Sequence, residues 1–380
     1  MTFAAALILL LQPSLSRAGV LPEDRADVLY HRYDGGGVVI DGPSVLVRKK
    51  FFDKVSVAGN YYIDMVSSAS VDVLSSASPY DEERTQKSLS LDYLRGKSTY
   101  SIGYIDSAES DYKAKTYYAS ISQDMFGDLT TVSFGFKRGS NDVFRNIKDS
   151  SGVRLRDPNF AEQVDTRSYS VGLTQILTRN MIAAAAFETI TDEGYLNSPY
   201  RSIRFLDGAG FRLAPEVYPR TRTSNAGSIR LKYHLPYRAA VDGMYRFYSD
   251  TWGIVGHTGE IGYTHPWRNF IFEASYRYYT QTSADFYRDL FPRQNTLNFQ
   301  ARDKELASFV SQTAGFGASY EFRIGRAPWL KKTSVNFRYD HILIDYDNFR
   351  DITQTGFAPG AEPLYSLNAN VFQVFFSAWF

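Results

Sequence analysis

The sequence predicts an all-β protein: a transmembrane antiparallel up-and-down β-barrel of about sixteen strands, with short periplasmic turns and long extracellular loops. Three observations predict it. Apolar and polar residues alternate with period two in segment after segment, as a wall between lipid and water requires. No stretch of the mature chain approaches the roughly 18 consecutive apolar residues of a membrane-spanning helix, so any crossing of a bilayer must use strands. Aromatic residues make up 16% of the chain, with Tyr and Phe nearly equal at 28 and 27, yet mean hydropathy is negative, so the apolar side chains are dispersed rather than gathered into runs.

The alternation is plainest in Ser228 to His234, where Ile229, Leu231 and Tyr233 share one face and Ser228, Arg230, Lys232 and His234 the other. Across a tight turn at Leu235-Pro236-Tyr237, Arg238 to Tyr248 turns Ala239, Val241, Tyr245 and Phe247 outward and Asp242 and Arg246 inward. Phe270 to Tyr278 sets Phe270, Phe272, Tyr276 and Tyr278 against Glu273, Ser275 and Arg277, and Val335 to Asp340 sets Val335, Phe337 and Tyr339 against Asn336, Arg338 and Asp340. The same reading places strands near 54–66, 86–95, 98–106, 115–124, 130–139, 166–176, 181–191, 254–265, 309–323 and 367–380, with ends uncertain by about two to four residues.

The linkers read as strictly alternating in length. Short turns such as Arg95-Gly96-Lys97, Phe126-Gly127-Asp128 and His265-Pro266-Trp267 are followed by longer polar stretches, which orients the barrel. Seven short-turn hairpins and a last strand ending at Phe380 need one more strand, near Val28 to Tyr33 with Gly35-Gly36-Gly37 as its tight outer turn, to reach an even number. The alternative is a barrel of about fourteen strands with a periplasmic N-terminal segment. In the last strand Phe372, Val374, Phe376, Ala378 and Phe380 share a face, and this ending resembles the sorting signal of the barrel-assembly machinery, with Phe376 and Phe380 as its anchors.

Ala4 to Leu11 is a short apolar run closed by Ser16-Arg17-Ala18, the small-x-small pattern of a signal-peptidase site. Residues 1–18 are therefore expected to be a signal peptide and 19–380 one barrel domain in the Gram-negative outer membrane. The Lys or Arg that usually precedes such a run is missing, which points to a start codon assigned slightly late. The competing reading, an N-terminal core helix, would show polar residues at helical period. The absence of cysteine excludes a disulfide framework, thiolate metal sites and cysteine nucleophiles. A formal charge of +1 argues against a nucleic-acid partner.

A soluble sandwich also alternates. Against it stand the tyrosines near strand ends on the outer face (Tyr61, Tyr93, Tyr100, Tyr104, Tyr117, Tyr169, Tyr263 and Tyr276), where membrane girdles place rings that are half wet and half dry. The opposite face carries full charges in mid-strand: Asp64, Asp92, Lys137, Arg230, Lys232, Asp242, Arg246, Glu260, Glu273, Arg277, Glu321 and Arg323. A sandwich could turn these to bulk water, but it gives no reason for linkers of unequal length.

Several segments carry a family resemblance: Arg25-Ala26-Asp27-Val28-Leu29-Tyr30-His31-Arg32-Tyr33, Asp41-Gly42-Pro43-Ser44, Asn60-Tyr61-Tyr62, Ser75-Ser76-Ala77-Ser78-Pro79-Tyr80 and Thr191-Asp192-Glu193-Gly194-Tyr195. Pro219-Arg220-Thr221-Arg222-Thr223-Ser224-Asn225, Tyr248-Ser249-Asp250-Thr251-Trp252 and Ala301-Arg302-Asp303-Lys304-Glu305 continue it. Over nearly the whole mature chain the sequence resembles the proteobacterial outer-membrane proteins grouped as domain of unknown function 3570. The resemblance implies a monomeric barrel, encoded near periplasmic redox or flavin-attachment proteins, and brings no substrate or activity with it.

Candidate sites follow from the barrel reading. A lumen or constriction is expected from Arg230, Lys232, Asp242, Arg246, Glu260, Glu273, Arg277, Glu321, Arg323, Arg338 and Asp340, whose simplest role is to pair across strands. The linkers Asp192 to Thr223 and Gln281 to Ser308 offer outer-loop binding residues: Arg201, Arg204, Arg212, Arg220, Arg222, Asp285, Arg288, Arg302 and Asp303. Folded into the lumen they would form a charged constriction; at the rim they would pair with lipopolysaccharide phosphates or neighbouring carboxylates. Asp340-His341 with Asp345 is the one carboxylate–histidine pairing that hints at catalysis, and neither a Gly-x-Ser-x-Gly elbow nor a His-Glu-x-x-His helix accompanies it, so no enzyme and no cofactor are expected. The acidic stretch Asp106 to Asp111 lacks the spacing of a dedicated Ca²⁺ loop. The expected function is porin-like passage of small solutes. The alternative is a non-conducting scaffold for a periplasmic or lipoprotein, possibly redox, partner.

Overall fold

The computed structural model describes residues 20–68, 80–324 and 329–380; the expected signal peptide and most of Ser75-Ser76-Ala77-Ser78-Pro79-Tyr80 lie outside them. The strands run in chain order: β1 (Arg25–Gly35), β2 (Val38–Phe51), β3 (Val55–Ser68), β4 (Tyr80–Arg95), β5 (Ser98–Ala108), β6 (Tyr112–Met125), β7 (Thr130–Lys148), β8 (Arg154–Thr178) and β9 (Met181–Gly194). A two-stranded hairpin follows, β10 (Ser202–Asp207) and β11 (Gly210–Pro215). Then come β12 (Thr221–His234), β13 (Ala240–Asp250), β14 (Val255–Trp267), β15 (Phe270–Gln281), β16 (Phe309–Phe322), β17 (Lys332–Arg350) and β18 (Leu364–Trp379).

All but the hairpin form one closed antiparallel meander, each strand pairing with its neighbours in the chain and β9 pairing with β12. Closure comes from β1, which pairs with β18 from Arg25↔Trp379 to Gly35↔Ala369. Sixteen strands therefore make the wall, and the fourteen-strand alternative fails because the first segment is wall rather than periplasmic tail. The outer turn after β1 is tight, with Gly36 and Gly37 at φ +60° and +75°, a region open to glycine at no steric cost.

β2 is absent from the strands named on sequence grounds. Its apolar triplets Val38-Val39-Ile40 and Val45-Leu46-Val47 interrupt the alternation, and Pro43 reads as a breaker. The barrel tolerates the proline because the ladder to β3 simply lapses between Asp41↔Met65 and Ser44↔Tyr62, then resumes in register. At the neighbouring Gly42 a Cβ would overlap the carbonyl oxygen of Ile63.

Three further expectations are corrected. β7, β8 and β17 extend well beyond 130–139, 166–176 and 335–340; beyond the bilayer neither face meets lipid, so alternation is no longer required there and the signal fades. Outer connections are consequently not all long, since those at 36–37, 109–111 and 251–254 match the periplasmic turns in brevity. Ala239, expected outward, is fully buried in the turn between β12 and β13.

The wall sorts side chains as predicted. Val28, Leu89, Ile102, Phe134, Ile229 and Ile261 are exposed on the outside, a continuous apolar surface that only lipid tolerates. Rings pair across strands in two bands. Tyr104–Tyr117 and Phe136–Tyr169, at 4.9 and 5.2 Å, lie toward the outer end; Tyr93–Tyr100 and Phe270–Tyr320, at 6.4 and 4.8 Å, lie toward the periplasmic end. Phe376 faces outward, and the backbone N–H of Phe380 donates to Asp24 O at 3.3 Å across the seam.

Candidate functional site

At the outer end the loops fold into the mouth instead of standing above it. Gly194 starts the turn: at φ +126° it leaves β9, and a Cβ there would overlap the carbonyl oxygen of Gln163. Next in the chain, Tyr195 N–H donates to that oxygen at 2.9 Å. We expect Gly194→Ala, which combines strain of about 1–3 kcal/mol with this overlap, to loosen loop 195–220 and accelerate its cleavage by protease, while heat-modifiable gel mobility shows the barrel still closed.

Several inward-facing wall residues at this level are apolar. Val143, Val164, Ile344, Tyr346 and Phe349 pack against Leu196 and Tyr218 of one loop and Phe286, Tyr287 and Leu306 of loop 282–308. Each such side chain taken from water contributes about 1.5–3 kcal/mol, so the loops form a dry plug with its own core. Hairpin β10–β11 joins it through Ile203, packed with the fully buried Phe291. Asp303 caps a short 3-10 turn, Lys304–Leu306, by accepting from Glu305 N–H at 2.9 Å.

Ion pairs lock the plug. Arg204 is 0% exposed. Its guanidinium donates to both Glu362 oxygens, at 2.5 and 3.1 Å, to Asp289 O at 2.9 Å, and to the Asp289 carboxylate. One arginine thereby ties three loops: 195–220, 282–308 and 351–363. Arg302 adds bonds to Asp289 Oδ1 at 3.1 Å and Arg350 O at 2.8 Å, and stacks over Phe349 at 4.5 Å. Burial raises the Glu362 carboxyl, but the Arg204 bonds outweigh it and hold the group below its usual range.

Glu216 behaves oppositely. Burial pushes its carboxyl up to about 7, and the nearby charge of Asp303 adds to that. Arg201, a 2.6 Å bond from Arg302 N–H and a 2.8 Å bond from Tyr218 O–H offset only part of the shift. Glu305 is also pushed up to about 7 by its enclosure and by Asp303, against Arg201. Its side chain keeps 45% of its surface accessible, so water offsets much of that push.

Below the plug the lumen is polar. Arg230 bridges Asp242 at 2.8 Å and Glu260 at 3.2 Å, Arg338 binds Asp340 at 2.7 Å, and Lys332 reaches Glu321 at 2.6 Å. Lys232 stands opposite Asp242 and Arg277 opposite Glu260 in the ladders, while Arg246 lies over Tyr248 at 5.7 Å. Glu273 and Arg277 face inward yet are exposed, so water reaches mid-barrel. Arg323 is exposed just past β16 at the periplasmic end.

The outer-loop candidates divide. Arg201 pairs with Asp303, and together with Arg204 and Arg302 they belong to the plug's internal network. Arg222 binds Asp250 at 2.5 Å and covers Trp252 at 4.4 Å. Arg212 and Arg220 sit exposed, paired with Asp207 and Glu162. Asp285 presses against Gly253, and Arg288 is exposed. The pleat separates Asp340, turned inward to Arg338, from His341, which meets Asn370 at 3.0 Å, so the suspected pair does not form. Asp106 stands opposite Lys115 while Glu109 lies near Arg84 at 3.9 Å and Asp111 accepts from Tyr200; among the described residues no group of three or more metal-ligating side chains forms.

A family model completes the picture: the one described as a protein of unknown function, DUF3570, matches residues 68–346. The chain belongs to this family. No curated protein matches it. Among solved structures it is similar to a bacterial polysaccharide outer membrane secretin, at 8% identity and TM-score 0.48 over 95% of this chain and 100% of that one. It is also similar to OpdK from Pseudomonas aeruginosa, solved with vanillate, at 9% identity and TM-score 0.45 over 95% and 100%. CdiB from Acinetobacter baumannii, at 12% identity and TM-score 0.37, is matched by 93% of this chain, which spans 60% of the length of that one.

On the far wall of this DUF3570 barrel the structure assembles a cluster that sequence reasoning missed. His31 bonds Asp64 at 2.8 Å and stacks on Tyr62 at 5.0 Å, and Arg84 approaches Asp64 at 3.8 Å. Asp64 reads as an inward charge in the sequence. Its meeting with His31 depends on β1, β2 and β3 lying side by side.

Proposed function

We propose that this protein is an outer-membrane passage for small polar or charged solutes, narrowed at its outer mouth by its own folded loops. The observation that carries the reading is the exposure of Glu273 and Arg277 on the inward face: charged groups wetted at mid-barrel belong to a water-filled lumen. Ion pairs around Arg230 and Arg338 satisfy Asp242, Glu260 and Asp340 at the wall.

The purified barrel in a planar bilayer is expected to conduct ions. Arg277→Glu replaces an exposed lumen cation with an anion and is expected to move the reversal potential in a salt gradient toward cation selectivity, because charged rings set which ions enter a pore. A folded barrel that never conducts, with the plug intact or deleted, would favour the scaffold role instead.

A further inference from the structure

We propose that the outer wall across β6, β7 and β8 holds a phosphate of lipid A, the glycolipid anchor of lipopolysaccharide. Arg138 of β7 and Arg167 of β8 are direct cross-strand partners, and both are exposed. Alternation with the exposed Phe134, Phe136, Tyr169 and Val171 turns both to the lipid side.

Like charges directly opposite on one face of a sheet are destabilising. Arg25, Arg32, Arg84, Arg230 and Arg338 of the wall each have a carboxylate within reach, whereas Arg138 and Arg167 have none among the described residues. The carboxylates nearest on this face lie further toward the outer end and make no ion pair with either arginine: Asp106 lies between Lys87 and Lys115, Asp142 faces Lys113, and Asp165, two residues from Arg167, lies between Ser140 and Glu193. An anion from outside would resolve the repulsion. A phosphate accepts from two guanidinium forks at once.

The height fits a lipid headgroup. Each arginine lies two residues beyond a ring of the Phe136–Tyr169 pair, toward the outer end, and Tyr117 is the cross-strand neighbour of Arg138. Two residues advance about 7 Å along a strand, which sets the cations just above the aromatic girdle while Val171, Leu173 and Phe134 below offer a surface for acyl chains.

The test uses the folded full-length barrel in detergent, titrated with diphosphoryl lipid A, monophosphoryl lipid A, phosphatidylglycerol and inorganic phosphate, with binding read by native mass spectrometry. Both lipid A forms, each of which carries a phosphate, are expected to bind at least tenfold more tightly than phosphatidylglycerol or inorganic phosphate. Arg138→Ala/Arg167→Ala is expected to lose that preference, while Arg220→Ala, at an exposed rim arginine, keeps it. Equal lipid A binding by the wild type and the double variant overturns the proposal. Phosphatidylglycerol or phosphate binding as well as lipid A also overturns it, by reducing the patch to a general anion surface. Should the double variant fail to fold, the wild-type comparison of lipid A with phosphatidylglycerol decides, and no preference overturns the assignment.

Discussion

Replacing Arg204 by alanine is expected to open the outer mouth without opening the barrel. The side chain is fully buried and its fork satisfies Asp289 and Glu362 from two different loops. Its loss removes the cation paired with the buried Glu362 and one of the two paired with Asp289, which keeps Arg302; leaving a buried carboxylate without its counter-charge costs about 3–5 kcal/mol. The sixteen-strand ladder has its own closed hydrogen bonding, so the cost falls on the plug. At about 1.4 kcal/mol per tenfold, a loss of 3 kcal/mol moves the folded-to-open balance of the loops roughly a hundredfold. The expected results are a higher single-channel conductance and rapid proteolysis within 195–220, with unchanged heat-modifiable mobility. Arg204→Lys should be nearly as open, because an ammonium cannot span both carboxylates as the planar fork does. Unchanged conductance in a folded Arg204→Ala barrel would show that the loops do not limit passage.

Conductance is also expected to rise with pH. Glu216 sits at about 7 in the folded plug, against an ordinary carboxyl value near 4.5. A group whose folded value is raised contributes its stabilisation fully below the unfolded value and loses it as pH rises through the folded one. The plug is therefore tightest near pH 5 and loosens as pH climbs through about 7. Glu362, held below its usual range by Arg204, acts in the opposite sense and only at acid pH, where its contribution fades. Recording between about pH 5 and 8 isolates the first effect. Bilayer currents at stepped pH should show the rise, and Glu216→Gln, which stays neutral, should flatten most of it. A wild-type current independent of pH across that range contradicts the assignment of the buried Glu216 carboxyl to the plug's stability.

How much was legible depends on which solvent each residue meets. Along β12 to β15 every side chain chooses between lipid and lumen, so Ile229, Arg230, Leu231 and Lys232 declare the wall outright. In β2 the declaration is blurred by Pro43 and two apolar triplets, and in the outer parts of β7, β8 and β17 it stops because lipid is no longer present. The inward charges could be named one by one, from alternation alone. Their pairing could not, since Arg230 reaches Asp242 and Glu260 only through the registers of three strands.

The sequence by itself determined the barrel, its face-to-face sorting, its size within one hairpin and the inward set of charges, because period two is a local consequence of standing between hydrocarbon and water. Only the tertiary structure decided what the long loops do. A loop residue such as Arg204 carries no periodic signal; its burial depends on Asp289 and Glu362 arriving from distant parts of the chain. That meeting is a property of closure, and closure is made by β1 reaching β18, the most remote pair of strands in the molecule.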